Sequence, residues 1–469
     1  MKNLIFVLQI NFLISNKLIS VYFLNRHGAR GPMHTHQNSK DFFGNYISNK
    51  GQLHFYGERM LYILGLYNKF KYIYNENFLN KTCDPNEIYI FSSFLDRTFM
   101  SSQSEILGLC NNIINDKIIN KKLINFTYPP INIFNNENIT KEIEELNKEN
   151  FSLPNNIYFL PVNSYEENKG KFLLTMNKKC RYSFFKIIQK NVKKHKIILD
   201  LEKEFNVLYK EKFNKFKNEN KYYLINDIFI ITDQYISSIY SGINTNEILY
   251  KLNINPNEFL NISNIIHYTF ITYYFFGDEK GESYKIEVSL LLKEIINRIK
   301  ENIYYDINKD KNNNLNYTNK KLNIGSCHDT TLMGIQIFIN NAFKLYNNTY
   351  SNIIDISYGG SLTFEIYKDE KNKNIFDVDN YYIDYLINDK FIKRFKFIDF
   401  YNIINNFAWN EDDIDKFCYS DKYALKQKIF ILKGIIVFLV LFILLLLFFL
   451  FKKKCHIENK DNEKESLLS

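Results

Sequence analysis

The stretch Leu24-Asn25-Arg26-His27-Gly28-Ala29-Arg30-Gly31-Pro32 decides how the rest of the chain is read. It follows a short apolar run, Leu18 to Leu24, that reads as a buried strand, and Gly and Pro punctuation closes it. One imidazole is thereby held at a strand end between two guanidinium groups. The paired N–H donors of arginine match the O–P–O geometry of a phosphoryl group. A cationic neighbourhood also disfavours imidazolium, which keeps His27 neutral and nucleophilic at mildly acidic pH. Taken alone, an R-H-x-x-R stretch is more often a solvated basic loop, so its meaning depends on what else the chain carries.

Two further motifs follow in order. Ile90-Phe91-Ser92-Ser93-Phe94-Leu95-Asp96-Arg97-Thr98 places a third arginine just after a strand-like segment, Ile88 to Phe91. Far downstream, Leu322 to Gly325 reads as a strand feeding Gly325-Ser326-Cys327-His328-Asp329-Thr330-Thr331. In open α/β sheets ligands sit beyond the carboxyl ends of the strands, where Arg30 and Arg97 can converge.

Together these motifs resemble the signatures of the histidine acid phosphatases, branch 2 of the histidine phosphatase superfamily, including its membrane-anchored lysosomal and prostatic-type members. The resemblance runs from about Tyr22 to the region of Lys390. Weaker echoes are Ser48-Asn49-Lys50-Gly51-Gln52 and Tyr358-Gly359-Gly360-Ser361. It implies that His27 is the nucleophile, that Arg26, Arg30, Arg97 and His328 hold phosphate, and that Asp329 is the proton donor. The implied reaction is phosphomonoester hydrolysis through a covalent phosphohistidine, with a small phosphomonoester as substrate and no cofactor or metal. Cys327 stands where the family often has a small residue such as alanine.

The implied fold is α/β: a phosphoglycerate-mutase-like, mostly parallel central sheet flanked by helices, with an inserted, mostly helical cap. The expected organisation is a signal peptide over 1–19, a phosphatase core over 20–110 and 321–425, and a cap over 111–320. A single transmembrane helix over 434–451 and a cytoplasmic tail over 452–469 complete it. Within the core, helices are expected from Gly51 to Tyr74 and from Thr331 to Leu345. Further strands are expected at Ile353–Ser357, Leu362–Tyr367 and Tyr381–Ile387. The insertion is rich in Asn and Lys, and its His195 and His267 read as structural or exposed.

Net charge is +9, yet Lys, Asn, Ile, Tyr and Phe are abundant throughout, and no basic and aromatic residues interleave in a nucleic-acid motif. Nucleic acid is therefore set aside as a partner. Met1-Lys2-Asn3 followed by Leu4 to Ile14 fits the n- and h-regions of a signal peptide. Gly434 to Phe451 is an unbroken apolar run of 18 residues (451 − 434 + 1), enough to cross roughly 27 Å as a helix. With a signal peptide, this predicts a single-pass type I protein with its catalytic domain luminal or extracellular, in the lysosome or vacuole or at the cell surface.

Cys455 lies just inside the membrane, where S-palmitoylation occurs, and Glu463-Lys464-Glu465-Ser466-Leu467-Leu468 resembles an acidic dileucine sorting signal. A sorting adaptor would read Glu463, Leu467 and Leu468, and the luminal part is compatible with a homodimer. Five luminal cysteines allow two disulfides and a leftover thiol, for which Cys327 is the expected position. Sequons at Asn80, Asn125, Asn138, Asn150, Asn261, Asn316 and Asn347 permit glycosylation. Two competing functions remain on the sequence alone: an inositol-polyphosphate or phytase-like phosphatase, and a receptor-like ectodomain on an inactive phosphatase fold. The presence of all six polar residues argues against the second.

Overall fold

A computed structural model describes residues 16–34, 40–47, 50–110, 121–122, 124, 129, 137–148, 157, 159–164, 180–308, 320–346, 350, 352–370, 378–418, 429 and 431–444. The expected signal segment up to residue 15 and the cytoplasmic tail lie outside them. So does most of the Asn-rich loop after residue 308.

Strand β1 (Asn16–Arg26) is the centre of the molecule. From Leu18 to Leu24 its residues are apolar, aromatic or small, which suits a strand buried on both faces. It pairs in parallel with β4 (Leu322–Cys327) and antiparallel with β5 (Ser361–Asp369). Beyond β4 come β2 (Ile88–Ser92) and the short β3 (Val162–Ser164), giving the order β3-β2-β4-β1-β5-β6-β7. The first four residues of the strand fall within the expected signal segment. Leu18 and Ile19 are core residues, so a cut after residue 19 would remove part of the central strand.

The expected mostly parallel sheet is instead mixed. Three pairings are parallel and three antiparallel, because β5, β6 (Tyr381–Ile387) and β7 (Lys390–Lys396) form a meander. β7 goes beyond the strands read from sequence. Its signal was present: Asn388 and Asp389 both adopt positive φ (49° and 62°), the two-residue turn that joins twisted antiparallel strands. Ile353–Ser357, expected as a strand, joins no ladder. The backbone N–H of Ile354 donates to Gln336 Oε1 (2.9 Å), and its carbonyl accepts from Gln336 Nε2 (2.9 Å). One side-chain amide thus stands in for a neighbouring strand there.

Side chains alternate along β1 between two cores. Val21 and Phe23 face helices α1 (Phe55–Lys69) and α2 (Asp96–Leu109), with Ile106 and Leu109. Tyr22 and Leu24 face α9 (Glu282–Asn308) and α10 (Asp329–Ala342), with Leu292 and Phe338. Helix α1 ends at Lys69 and continues as a π-helical turn, Phe70–Asn75. Helix α11 (Phe397–Phe407) completes the second face through Phe400 and Ile404.

Between α2 and β4 the described elements are α3 (Glu137–Leu146), β3, α4 (Arg181–Lys194), α5 (Lys196–Lys217), α6 (Ile225–Tyr240), α7 (Thr245–Lys251), α8 (Pro256–Thr269) with a π-helical turn Phe270–Phe275 after it, and α9. The insertion is more than a cap, since β3 extends the sheet and α9 covers one face of it. Helices α5, α6 and α8 enclose an aromatic core of their own around Phe205, Phe213, Tyr235 and Phe259.

Residues to Asn410 form one compact unit and those from Glu411 a second. In the second, α12 spans Glu411–Cys418 and residues 431–444 are helical. The remainder of the apolar run ending at Phe451 lies outside the described residues. Among the described residues no helix is long and apolar enough to cross a membrane. Cys83 and Cys110 form a disulfide closing the end of α2 onto the loop before β2. Cys180 and Cys418 are also disulfide-bonded, and Cys327 is the buried free thiol expected.

Helix α2 carries one buried acid outside the site. Glu105 accepts from the side-chain amides of Asn25 and Asn68, and burial pushes its carboxyl up to about 8. An unfolded glutamate titrates near about 4.3, so the native chain holds a proton through that interval which the unfolded chain releases. The stability this proton contributes is complete below about pH 4 and is lost as pH rises toward about 8. Glu105→Gln imitates the protonated form. Its melting temperature should match the parent below about pH 4 and exceed it increasingly up to about pH 8. A gap independent of pH would show that Glu105 is ionised in the fold.

Candidate active site

The carboxyl ends of β1, β2 and β4 lie side by side, with Arg26 in register with Cys327 and Ser92 with Ser326. Each feeds a loop or helix start: β1 the loop His27–Arg30, β2 the start of α2, and β4 the start of α10. Two helix N-termini, with their positive dipole ends, therefore face one crevice. The loop after β1 sits tightly on α1. A Cβ on Gly28 would lie 2.4 Å from the carbonyl oxygen of Gly57, and one on Gly57 would lie 2.2 Å from that of Ala29. Backbone meets backbone at this crossing, which holds His27 against the sheet.

His27 is buried, and its Nδ1 is 2.8 Å from the carbonyl oxygen of Gly28. A carbonyl only accepts, so the ring proton sits on Nδ1 and the Nε2 lone pair is left bare. Burial, followed by Arg97, His328, Arg30 and Arg26, holds this imidazole well below its usual 6.5. It is neutral at acid pH. His328 is likewise pushed down to about 3 by burial and Arg97. Its Nδ1 accepts from Arg97 at 3.5 Å and its Nε2 donates to Ser93 Oγ at 3.1 Å, which fixes the tautomer. The two rings stand edge to face, 5.4 Å apart.

The three arginines are held in different ways. Arg26 donates to the carbonyl of Ile356 (2.7 Å), pairs with Asp329 Oδ2 (2.6 Å) and lies over the ring of Tyr358 (4.2 Å). Arg30 makes a two-pronged contact with Asp233 of α6 (2.9 and 3.4 Å). Arg97 has no carboxylate partner among the described residues. Burial and then Arg30 lower it to about 10, the mark of a cation whose charge is not met locally. A bound oxyanion would meet it.

Asp329 is the first residue of α10. Burial pushes its carboxyl up, but Arg26 and His267 outweigh that and hold it well below the carboxylate range. His267, expected to be structural or exposed, is instead buried in the site on α8. Its Nε2 is 3.1 Å from Asp329 Oδ2 and its Nδ1 3.5 Å from Asp355 Oδ1. Burial would lower it, yet the two aspartates raise it to about 9.

The structure thus brings together all six residues expected from sequence: Arg26, His27, Arg30, Arg97, His328 and Asp329. It adds Asp233, His267, Asp355, Tyr358 and Ser93. No local signal marks Asp233 or His267, which reach the site only because α6 meets the loop after β1 at Arg30 and α8 meets the start of α10 at Asp329. Among the described residues no cluster of three or more acidic, His or Cys side chains could hold a metal ion.

A buried imidazole with a bare Nε2 lies among guanidiniums at the ends of parallel strands, an arrangement suited to an oxyanion. The sequence profile of the histidine phosphatase superfamily (branch 2) matches residues 17–388, and the chain belongs to that family. Prostatic acid phosphatase of Mus musculus is 34% identical over 93 residues, a stretch covering 20% of this chain and 23% of the mouse protein. The fold resembles that of the phytase from Citrobacter braakii, with a TM-score of 0.51 and 12% identity over 84% of this chain and 98% of that one. The Hafnia alvei phytase solved with myo-inositol hexakis sulphate matches with the same TM-score, identity and coverage.

Proposed function

We propose that the chain is an acid phosphatase that hydrolyses phosphomonoesters through a phosphohistidine on His27. The observation that carries this is the bare Nε2 of His27, on a ring kept neutral by burial and by the charges of Arg97, Arg30 and Arg26. In the first step Nε2 attacks phosphorus while the ester P–O bond breaks. Asp329 delivers a proton to the departing oxygen, giving the free alcohol. In the second, water attacks phosphorus, the P–N bond breaks, and Asp329 takes the water's proton. The guanidiniums and His328 carry the charge on the non-bridging oxygens, and the arginines are fixed before substrate arrives, so little reorganisation is needed.

A phytase-like preference for inositol polyphosphates would call for several cations around the leaving group. A cavity of about 250 Å³ beside Arg97 is lined by Lys50, Gln52 and Asp96, among others. Asp96 in this lining disfavours a second phosphate there, which supports substrates that carry a single phosphate group.

The location is read from sequence features alone: an amino-terminal apolar segment, the run 434–451 and the tail motif at Glu463, Leu467 and Leu468. We place the catalytic domain on the luminal or extracellular side of a membrane, anchored once.

The test is hydrolysis of p-nitrophenyl phosphate between about pH 4 and about pH 8. Activity should peak in the acid range and persist below about pH 6.5, because burial and the arginines keep His27 neutral below the ordinary imidazole range. Activity that collapses below about pH 6.5 would mean that the nucleophile titrates as an ordinary imidazole.

A further inference from the structure

Asp329 presents a difficulty for the chemistry just described. A general acid must hold a proton when the ester bond breaks, yet Arg26 and His267 hold this carboxylate ionised. His267 is the neighbour that can supply the missing proton. It bridges two carboxylates: Asp329 on α10 through Nε2 and Asp355 through Nδ1. Arg26, at the end of β1, also faces it, Asp233 of α6 contributes a more distant negative charge, and the ring of Phe229 stacks on it at 6.0 Å. Asp329 is largely enclosed, whereas the Asp355 side chain is 34% exposed. The row Asp355–His267–Asp329 therefore runs from the protein surface to the point where a leaving group must depart.

We propose that His267, held in place by the charge of Asp355, forms a proton relay with Asp329 and loads it during turnover. This rests on the phosphatase reading above. At rest Asp329 Oδ2 is shared between Arg26 and His267. A bound phosphoryl group supplies oxygens that compete for the Arg26 guanidinium, which weakens its hold on Asp329 and makes that carboxylate more basic. The proton on His267 Nε2 then moves to Asp329 Oδ2. The N–H bond breaks as the O–H bond forms, and Nδ1 keeps its proton toward Asp355. Asp329 passes the proton to the ester oxygen as the P–O bond breaks. In the second step the proton released by water returns to Asp329 and then to His267, so the relay ends each cycle as it began. His267 acts through Asp329 and is a positioning and proton-supplying residue; it has no contact with phosphorus in this scheme.

The test is kcat/KM of the full chain across a leaving-group series, from dinitrophenyl phosphate to an alkyl phosphate, with pH profiles. This constant reports steps up to the departure of the leaving group. His267→Gln keeps an N–H donor toward Asp329 but cannot give up a proton at working pH. It should lose at least about tenfold on the alkyl ester and less than about twofold on the dinitrophenyl ester, with its alkaline limb displaced to lower pH. Asp355→Asn should shift both readouts the same way by less. It carries the test alone should His267→Gln fail to fold, since a side chain one-third exposed tolerates the change. An equal loss on both esters, or an alkaline limb that does not move, would mean that His267 only supports the fold, and would overturn the relay. A parent chain that hydrolyses neither ester overturns the phosphatase reading and the relay together. An active parent with uniform losses overturns the relay alone.

Discussion

Replacing His27 with Ala is expected to remove the phosphoenzyme and to lower kcat/KM for an aryl phosphate by at least about 10⁴-fold. The size of the effect follows from how little else in the crevice can attack phosphorus. The His328 ring is occupied on both nitrogens, by Arg97 and Ser93. The thiol of Cys327 is buried, donates to the carbonyl of Asn25, and is pushed up far from its thiolate form by burial. Water attacking a phosphoryl group held by the arginines is the remaining route, and it lacks the pre-positioned nucleophile. The check is an alkaline quench of enzyme mixed with labelled substrate, because phosphohistidine survives base. The parent should retain label and the variant none. The fold should be little affected, since the Gly28 and Gly57 crossing holds the loop without the imidazole. Retained label in His27→Ala would relocate the nucleophile and dismiss the proposed chemistry.

The second large effect is expected from Asp329→Asn, and its signature is selectivity. An alkoxide is a poor leaving group without a proton, whereas a dinitrophenolate departs unaided. Loss on an alkyl phosphate should therefore reach about 10²- to 10⁴-fold, with only a small change on dinitrophenyl phosphate. A further consequence comes from charge. Asp329 neutralises Arg26 across 2.6 Å and meets His267 across 3.1 Å. Removing that negative charge leaves more positive potential for the oxyanion, so inorganic phosphate should inhibit the variant more strongly than the parent. Equal losses across leaving groups, or weaker inhibition by phosphate, would contradict this assignment.

Much of the architecture was legible in the sequence because its strong signals are local. The apolar run into Arg26-His27-Gly28 is a strand end whatever surrounds it, and the same holds for Ile88–Ser92 and Leu322–Cys327. Sheet direction was less legible. Whether β5 runs with or against β1 depends on pairing partners far apart in the chain, and Ser361–Asp369 reads as a strand in either case. The fate of Ile353–Ser357 depended on Gln336, a residue on another element that took over its backbone hydrogen bonds.

The sequence by itself determined the candidate groups: one imidazole, three guanidiniums and an HD pair, each just after a strand-like run. Tertiary structure decided their states. Asp233 fixes Arg30, Gly28 and Gly57 seat the loop, and Gly28's carbonyl selects the tautomer that bares Nε2. It also carried His267 from an unremarkable helix to within 3.1 Å of the acid. The reason is physical. A residue's type is written at its own position, but its proton affinity depends on burial and on charges within a few ångströms, which reach it from α6, α8 and α10 only when the chain has folded.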